Sequence, residues 1–231
     1  MQVVLERVEK IRPDVWTFWF RPDARVRFEP GQFAEFRVPH ADADERGDTR
    51  EFSISSLPGE PVVTITTNFA RTNGSSFKRA LRALKPGDAI TMAEPMGDFV
   101  LPKDNSIPLV FVAAGVGCTP YVSMIKWLIV RSEQRDIKLI YSARMPDDFI
   151  FQDLWQSYPL EFIPVITRPV GNWHGQSGRL NAAKILDLAG PAENKLIYLA
   201  GPQSMIEPLF DDLLALGLTR RQLLLDYFSG Y

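Results

Sequence analysis

Residues 109–121 constrain this chain more than any other stretch. Leu-Val-Phe-Val-Ala-Ala is a short apolar run; Gly115 and Gly117 follow one residue apart, and Thr119-Pro120 open an amphipathic segment. That order predicts a buried strand, a tight turn and a helix start. Thr119 is placed to cap the helix, and Pro120 suits its first turn. Glycines at 115 and 117 allow the backbone to come close to a ligand. The helix N-terminus beyond them offers N–H groups and a positive dipole end, which suit a phosphate. The pattern is Gly-x-Gly-x-x-Pro, so the Gly-x-Gly-x-x-Gly dinucleotide fingerprint is only partly met. An ordinary strand-to-helix turn fits the same residues.

On either side of this stretch the chain has different textures. The first hundred residues read as short strands between turns: 2–11, Val15–Phe20, Gln32–Val38, Arg50–Ser56, Val62–Thr67 and Ala89–Ala93. One helix interrupts them at 75–84, with Phe77, Ala80, Leu81 and Leu84 on one face. Six strands at this spacing predict a small antiparallel barrel. From Leu109 onward strands alternate with helices. Strands are expected at 109–114, 137–143, 161–166, 195–200 and 222–227, and helices at 119–131, 150–157, 181–188 and 203–216. This alternation predicts a doubly wound, five-stranded parallel α/β domain. Pro102 to Pro108 reads as the linker, giving domains of 1–103 and 104–231.

Composition narrows the function classes. A net charge of −2 with no basic run argues against a nucleic-acid partner. Cys118 is the only cysteine, so the chain has no internal disulfide and too few thiols for a cysteine-ligated cluster. That usage fits a reducing, cytoplasmic setting. Residues 107–130 are apolar, but the embedded turn and Lys126 argue for a buried strand and helix, with no membrane insertion expected. His40 and His174 lie in polar, loop-like stretches, and no Ser-His-Asp arrangement is supported.

Further motifs fall within this framework. Strand alternation places Arg50, Phe52 and Ile54 on one face and Glu51, Ser53 and Ser55 on the other. Arg50 beside an aromatic fits a surface stack as well as a phosphate clamp. Gly74, Ser75 and Ser76 open the first helix, where Ser75 can serve as N-cap and the N-terminus can hold an anion. Glu94-Pro95-Met96-Gly97-Asp98-Phe99 fits turn chemistry. Three aromatics in the final five residues argue that the tail docks.

Arg50-x-Phe52-Ser53, Gly74-Ser75-Ser76, Pro95-x-Gly97-x-Phe99, Gly115-x-Gly117-x-x-Pro120, Gly201-Pro202 with Met205, and an aromatic terminus occur in that order. Together they resemble the ferredoxin–NADP reductase superfamily. The resemblance spans nearly the whole chain and implies a flavin-binding antiparallel barrel followed by a nicotinamide-nucleotide-binding α/β domain.

The resemblance implies roles for particular residues. Arg50 would bind the flavin pyrophosphate, and Phe52 would pack beside the flavin ring where a tyrosine is more usual. Ser53 would lie near the ring atom that receives hydride. Ser56 resembles the variant seen with FAD; Ile54 and Thr66 join the cofactor contacts. Gly74, Ser75 and Ser76 would cradle the phosphates. Gly115, Gly117, Thr119 and Pro120 match the nucleotide motif, and Gly201 and Pro202 the loop near the nicotinamide. Ala200 departs from the pattern, standing where many relatives have a cysteine. Tyr231 resembles the terminal aromatic that covers the flavin, with Tyr227 and Phe228 as rivals, and Asp226 is a candidate carboxylate near the site. Arg144 and Arg168 follow the second and third parallel strands and could meet a 2′-phosphate.

The implied cofactors are FAD and NADP(H) or NAD(H), with a lean to NADPH. The implied activity is hydride transfer to FAD and single-electron delivery to a separate ferredoxin, flavodoxin or oxygenase component, from a monomer or weak dimer. A flavin or ferric reductase, and a flavin-holding subunit without turnover, are the alternatives.

Overall fold

The computed structural model describes residues 1–69, 74–169, 171, 173–191 and 193–227. Its first half is a six-stranded antiparallel sheet: β1 (Gln2–Arg12), β2 (Val15–Pro22), β3 (Phe33–Arg37), β4 (Thr49–Ser53), β5 (Val63–Asn68) and β6 (Ala89–Met92), in the order β4-β3-β6-β1-β2-β5. Alternation sorts its side chains. Val63 and Ile65 enter a core with Phe18, Phe20, Phe36 and Phe52, while Thr64 and Thr66 face away from it. Helix α1 (Ser76–Ala83) covers this core with Phe77 and Leu81, both fully buried. The sheet curls until its edges meet. Just past β4, the Ser55 N–H donates to Thr64 O of β5 at 2.9 Å. The Thr64 N–H in turn donates to Ser56 Oγ at 3.2 Å.

The second half is a parallel sheet with helices on both faces. Its strands are β7 (Leu109–Ala114), β8 (Ile137–Ala143), β9 (Glu161–Ile166), β10 (Gln176–Ser177), β11 (Leu196–Ala200) and β12 (Leu223–Asp226). They lie in the order β10-β9-β8-β7-β11-β12. The helices are α2 (Thr119–Val130), α3 (Gln152–Gln156), α4 (Ala182–Ala189) and α5 (Gln203–Ala215). Leu109, Phe111 and Ala113 of β7 pack with α2, whereas Val110 and Val112 pack with α4 and α5. Both faces are therefore covered, which explains why the strand reads as a continuous apolar run.

Three expectations need correction. The parallel sheet has six strands, not five. Strand β10 is two exposed residues with no apolar pattern, so periodicity could not signal it. Thr119 does not cap α2: a 3-10 turn over Gly115–Cys118 runs straight into the helix, and Thr119 Oγ1 donates to Val116 O at 3.0 Å. Helix α3 begins later than 150, because Phe151 takes a left-handed φ of 58° at its entry.

The two halves are held together by a specific joint. Phe99 is inserted between Tyr121 and Tyr198, with ring centroids 5.8 and 5.0 Å away. The Tyr198 hydroxyl donates to Val100 O at 2.7 Å. From α2, Ser123 Oγ donates to Ser56 O at 2.8 Å and Lys126 Nζ to Ser55 O at 2.9 Å. No helix among the described residues is long and apolar enough to cross a membrane.

Candidate functional site

The strand order reverses direction between β7 and β11, and this is where open α/β sheets bind ligands, beyond the strands' carboxyl ends. Gly117 and Gly201 close that point. A Cβ on Gly117 would stand 2.5 Å from Ala200 O and 2.6 Å from the Gly201 Cα. The glycine is therefore demanded by the neighbouring loop. Gly115 differs: its φ is +54° and a Cβ there would meet nothing within 4 Å. Its backbone faces open space, as a ligand-approach position requires. Thr119 and Pro120 are buried in the first turn of α2, and Pro202 stands at the N-cap of α5 beside Gly201.

Asp226 ends β12 in register with Ala200, and its carbonyl accepts the Gly201 N–H at 3.3 Å. Its side chain turns toward the antiparallel sheet, where Ser53 Oγ donates to Asp226 Oδ2 at 2.7 Å. Ser53 is 5% exposed and Asp226 7%. Burial pushes the Asp226 carboxyl up to about 7; the Ser53 hydrogen bond opposes that rise and the Glu51 carboxylate adds to it. Strand β5 lies against the Gly115–Cys118 turn beside this pair. The structure thus brings Ser53, Asp226, Gly117 and Gly201 to one place.

Arg50 lies elsewhere on the antiparallel sheet, under the N-terminus of α1. It is 7% exposed, with its guanidinium 5.5 Å from the Phe77 ring centroid, so it is no surface stack. Its Nη1 donates to the carbonyls of Arg46, Gly47 and Thr49, whereas its buried Nη2 has no hydrogen-bond partner among the described residues and lies 3.6 Å from Asp44 Oδ1. A buried guanidinium donor left open suits an anion. The first turn of α1 is already engaged. Ser75 Oγ accepts the Lys78 N–H at 3.2 Å, the capping role expected of it. The Ser76 N–H donates to Asp44 Oδ2 at 2.9 Å, and Ser76 Oγ accepts the Asp44 N–H at 2.9 Å. The Gly74 carbonyl accepts from Arg79 Nη1 at 2.6 Å.

Other expected contact residues are enclosed by the protein itself. Phe52 is 5% exposed between Phe36 and Phe77, not on an open ring platform. Ile54 is fully buried in the same core, and its N–H donates to Gln32 O. Ser56 is fully buried and bonded to Thr64. Thr66 Oγ1 pairs with Thr17 Oγ1 at 2.8 Å. Arg144 and Arg168 are exposed just past β8 and β9, with the Arg168 N–H donating to Arg144 O at 2.9 Å. Tyr231 and Phe228 lie outside the described residues, whereas Tyr227 directly follows β12.

Asp44 carries no signal in the sequence, because it sits in a run of charged residues that reads as a solvated loop. Phe99 is legible only as a member of the Pro95-x-Gly97-x-Phe99 motif, with no role of its own.

Comparisons with known proteins bear on the fold that carries this site. The family of the oxidoreductase NAD-binding domain matches residues 111–209. The NADH oxidoreductase HCR of Escherichia coli is 29% identical over 208 residues, which cover 90% of this chain and 62% of that protein. The reductase component of propane 2-monooxygenase from Rhodococcus jostii is 25% identical over 253 residues, covering 100% of this chain and 65% of that one. The chain therefore spans less than two thirds of the length of these relatives. Among solved structures, the FAD/NAD-binding domain of nitric oxide dioxygenase from Vibrio cholerae superposes with a TM-score of 0.81 at 21% identity, covering 98% of each chain. A ferredoxin NADP+ reductase from Neisseria gonorrhoeae does so at 0.80, with the same identity and coverage. Residues 111–209 thus match the oxidoreductase NAD-binding domain family, and the chain as a whole shares its fold with this FAD/NAD-binding domain and this ferredoxin NADP+ reductase.

Proposed function

We propose that this chain is a flavin-dependent NAD(P)H oxidoreductase unit, with residues 1–103 holding FAD and residues 104–231 holding the nicotinamide nucleotide. Its electrons go singly to a separate protein, a ferredoxin, a flavodoxin or an oxygenase component. The observation that carries this reading is the Ser53–Asp226 hydrogen bond. It joins the antiparallel sheet to the strand ends at the point where the parallel sheet reverses.

FAD supplies the hydride-accepting and electron-releasing chemistry when bound. The protein's own residues bind and orient. Arg50 would meet the diphosphate through Nη2, and Gly115, where a Cβ would meet nothing within 4 Å, would let the nucleotide approach the backbone. Ser53 and Asp226 hold a proton between Oγ and Oδ2 in a site with little water, and Asp226 keeps its own proton up to near neutral pH. Arg144 and Arg168, exposed just past β8 and β9, would be the cations to meet a 2′-phosphate, which favours NADPH. Phe99, Tyr121 and Tyr198 fix the two halves against each other, the rigidity that orienting two bound rings would need. Reductase components of oxygenase systems among the relatives support a protein acceptor.

The test is direct. Purified protein reconstituted with FAD should turn yellow, bleach under anaerobic NADPH or NADH, and recover colour on adding a one-electron protein acceptor. A protein that takes up no flavin overturns the reading. Colour that persists with both nucleotides leaves a flavin-holding subunit without turnover.

A further inference from the structure

The loop between β3 and β4 lies against the two groups that the flavin reading assigns to a diphosphate, Arg50 and the start of α1. Asp44 on this loop accepts the Ser76 N–H at the start of α1 through Oδ2. Its Oδ1 lies 3.6 Å from Arg50 Nη2, the guanidinium nitrogen that lacks a hydrogen-bond partner among the described residues. The opposite nitrogen of Arg50 is held by three carbonyls of the same loop or its edge, those of Arg46, Gly47 and Thr49. One carboxylate and one loop thus take the two elements that would bind an anion: the first turn of an eight-residue helix and a buried arginine. The fit of Asp44 is imperfect at one point. It meets the helix N–H at 2.9 Å but leaves Arg50 Nη2 short of a bond, which a larger, more highly charged group could complete.

We infer that Asp44 is a built-in competitor for this anion site, and that the loop 39–48 must release Ser76 and Arg50 before a diphosphate can enter. The inference rests on the flavin reading for the natural ligand, but the competition itself is a property of this site and of any diphosphate. Asp44 is held well below the usual carboxylate range, by Arg46 first and the Ser76 N–H next, so it stays ionised across the physiological range. The loop is therefore a constant competitor and not a pH switch. A protein whose open form is populated only in part binds with an affinity reduced by that fraction. If the open form is about one tenth of the whole, removing the competitor tightens binding about tenfold.

The test compares wild-type protein with Asp44→Asn, which keeps an oxygen acceptor for the Ser76 N–H but loses the charge. Titration with inorganic pyrophosphate and, separately, with FAD is followed by calorimetry. Asp44→Asn is expected to bind pyrophosphate several-fold to tenfold more tightly than wild type; equal or weaker binding overturns the inference. FAD refused by both proteins, with pyrophosphate still bound more tightly by Asp44→Asn, sinks the flavin reading and leaves the competition standing. A second measurement needs no variant. Amide hydrogen exchange in wild-type protein over 39–48 should rise when pyrophosphate is added, because the loop is expelled. Exchange that falls or stays constant makes Asp44 a permanent brace of α1 and overturns the inference.

Discussion

Ser53 and Asp226 lie 173 positions apart and share a 2.7 Å hydrogen bond in which the serine hydroxyl donates to Oδ2. The bond keeps a buried carboxyl next to the ends of two parallel strands. Burial raises its pKa from 3.8 to about 7. Between those values the folded protein holds a proton that the unfolded chain has lost. The folded state thus binds more protons, and its stability falls as pH rises through that window. A shift of roughly three units corresponds to about 4 kcal/mol at most. Asp226→Asn removes this titration. Denaturant midpoints between pH 4 and pH 8 should fall with pH in wild-type protein relative to Asp226→Asn, and the variant should be the more stable of the two above pH 7. Parallel profiles would show that Asp226 does not titrate as its burial demands.

Gly117 and Gly201 face each other across the switch point with different tolerance. A Cβ at 117 runs into backbone, whereas one at 201 meets the flexible Met205 Cε at 2.9 Å and the Ala114 Cβ at 3.3 Å. Backbone cannot yield cheaply, so Gly117→Ala should destabilise by roughly 2 kcal/mol and Gly201→Ala by under about 1 kcal/mol. Chemical denaturation of both variants checks the order; the reverse order would mean that the two loops do not pack as described.

Much of this was legible from the chain. The β7 run and the two glycines located the turn that lies at the switch point, because a strand buried on both faces leaves an unmistakable apolar block. Ser53 and Asp226 were legible only as separate members of motifs, since no periodicity reports a contact across 173 positions. Arg50 was legible as a cation but not as a buried one: its burial depends on α1 folding over it. Asp44 was illegible because a carboxylate in a polar run reads as solvated until a helix N-terminus is placed against it. The resemblance marks Ser56 and Thr66 as cofactor contacts; no sequence pattern reports that their hydroxyls also bond Thr64 and Thr17 within the sheet.

Phe99 shows how much the joint between the sheets depends on one ring. It is 5% exposed and makes edge contact with Tyr198 at an interplanar angle of 83°. Phe99→Ala should cost about 3–5 kcal/mol through the cavity it leaves. Tyr198→Phe keeps the ring and removes only the bond to Val100 O, which should cost about 1 kcal/mol. Equal losses in thermal unfolding would mean that the hydroxyl, not the packed ring, secures the joint.

Ser53→Ala separates binding from chemistry if the proposed function holds. The groups proposed to bind the diphosphate are Arg50 and the start of α1, whereas the Ser53 hydroxyl bonds to Asp226, so flavin content should be preserved. The hydroxyl that Ser53 donates lowers the Asp226 pKa, so losing it should raise that pKa further. Flavin reduction by NADPH or NADH should therefore slow by about tenfold or more, and the pH midpoint of its rate should move upward. Stopped-flow reduction across pH 5–9, at matched flavin occupancy, reads both effects. A slowed rate with an unmoved midpoint would assign Ser53 to positioning alone. The native rate with the native midpoint would remove it from the reaction and leave the 2.7 Å bond as a structural link between the two sheets.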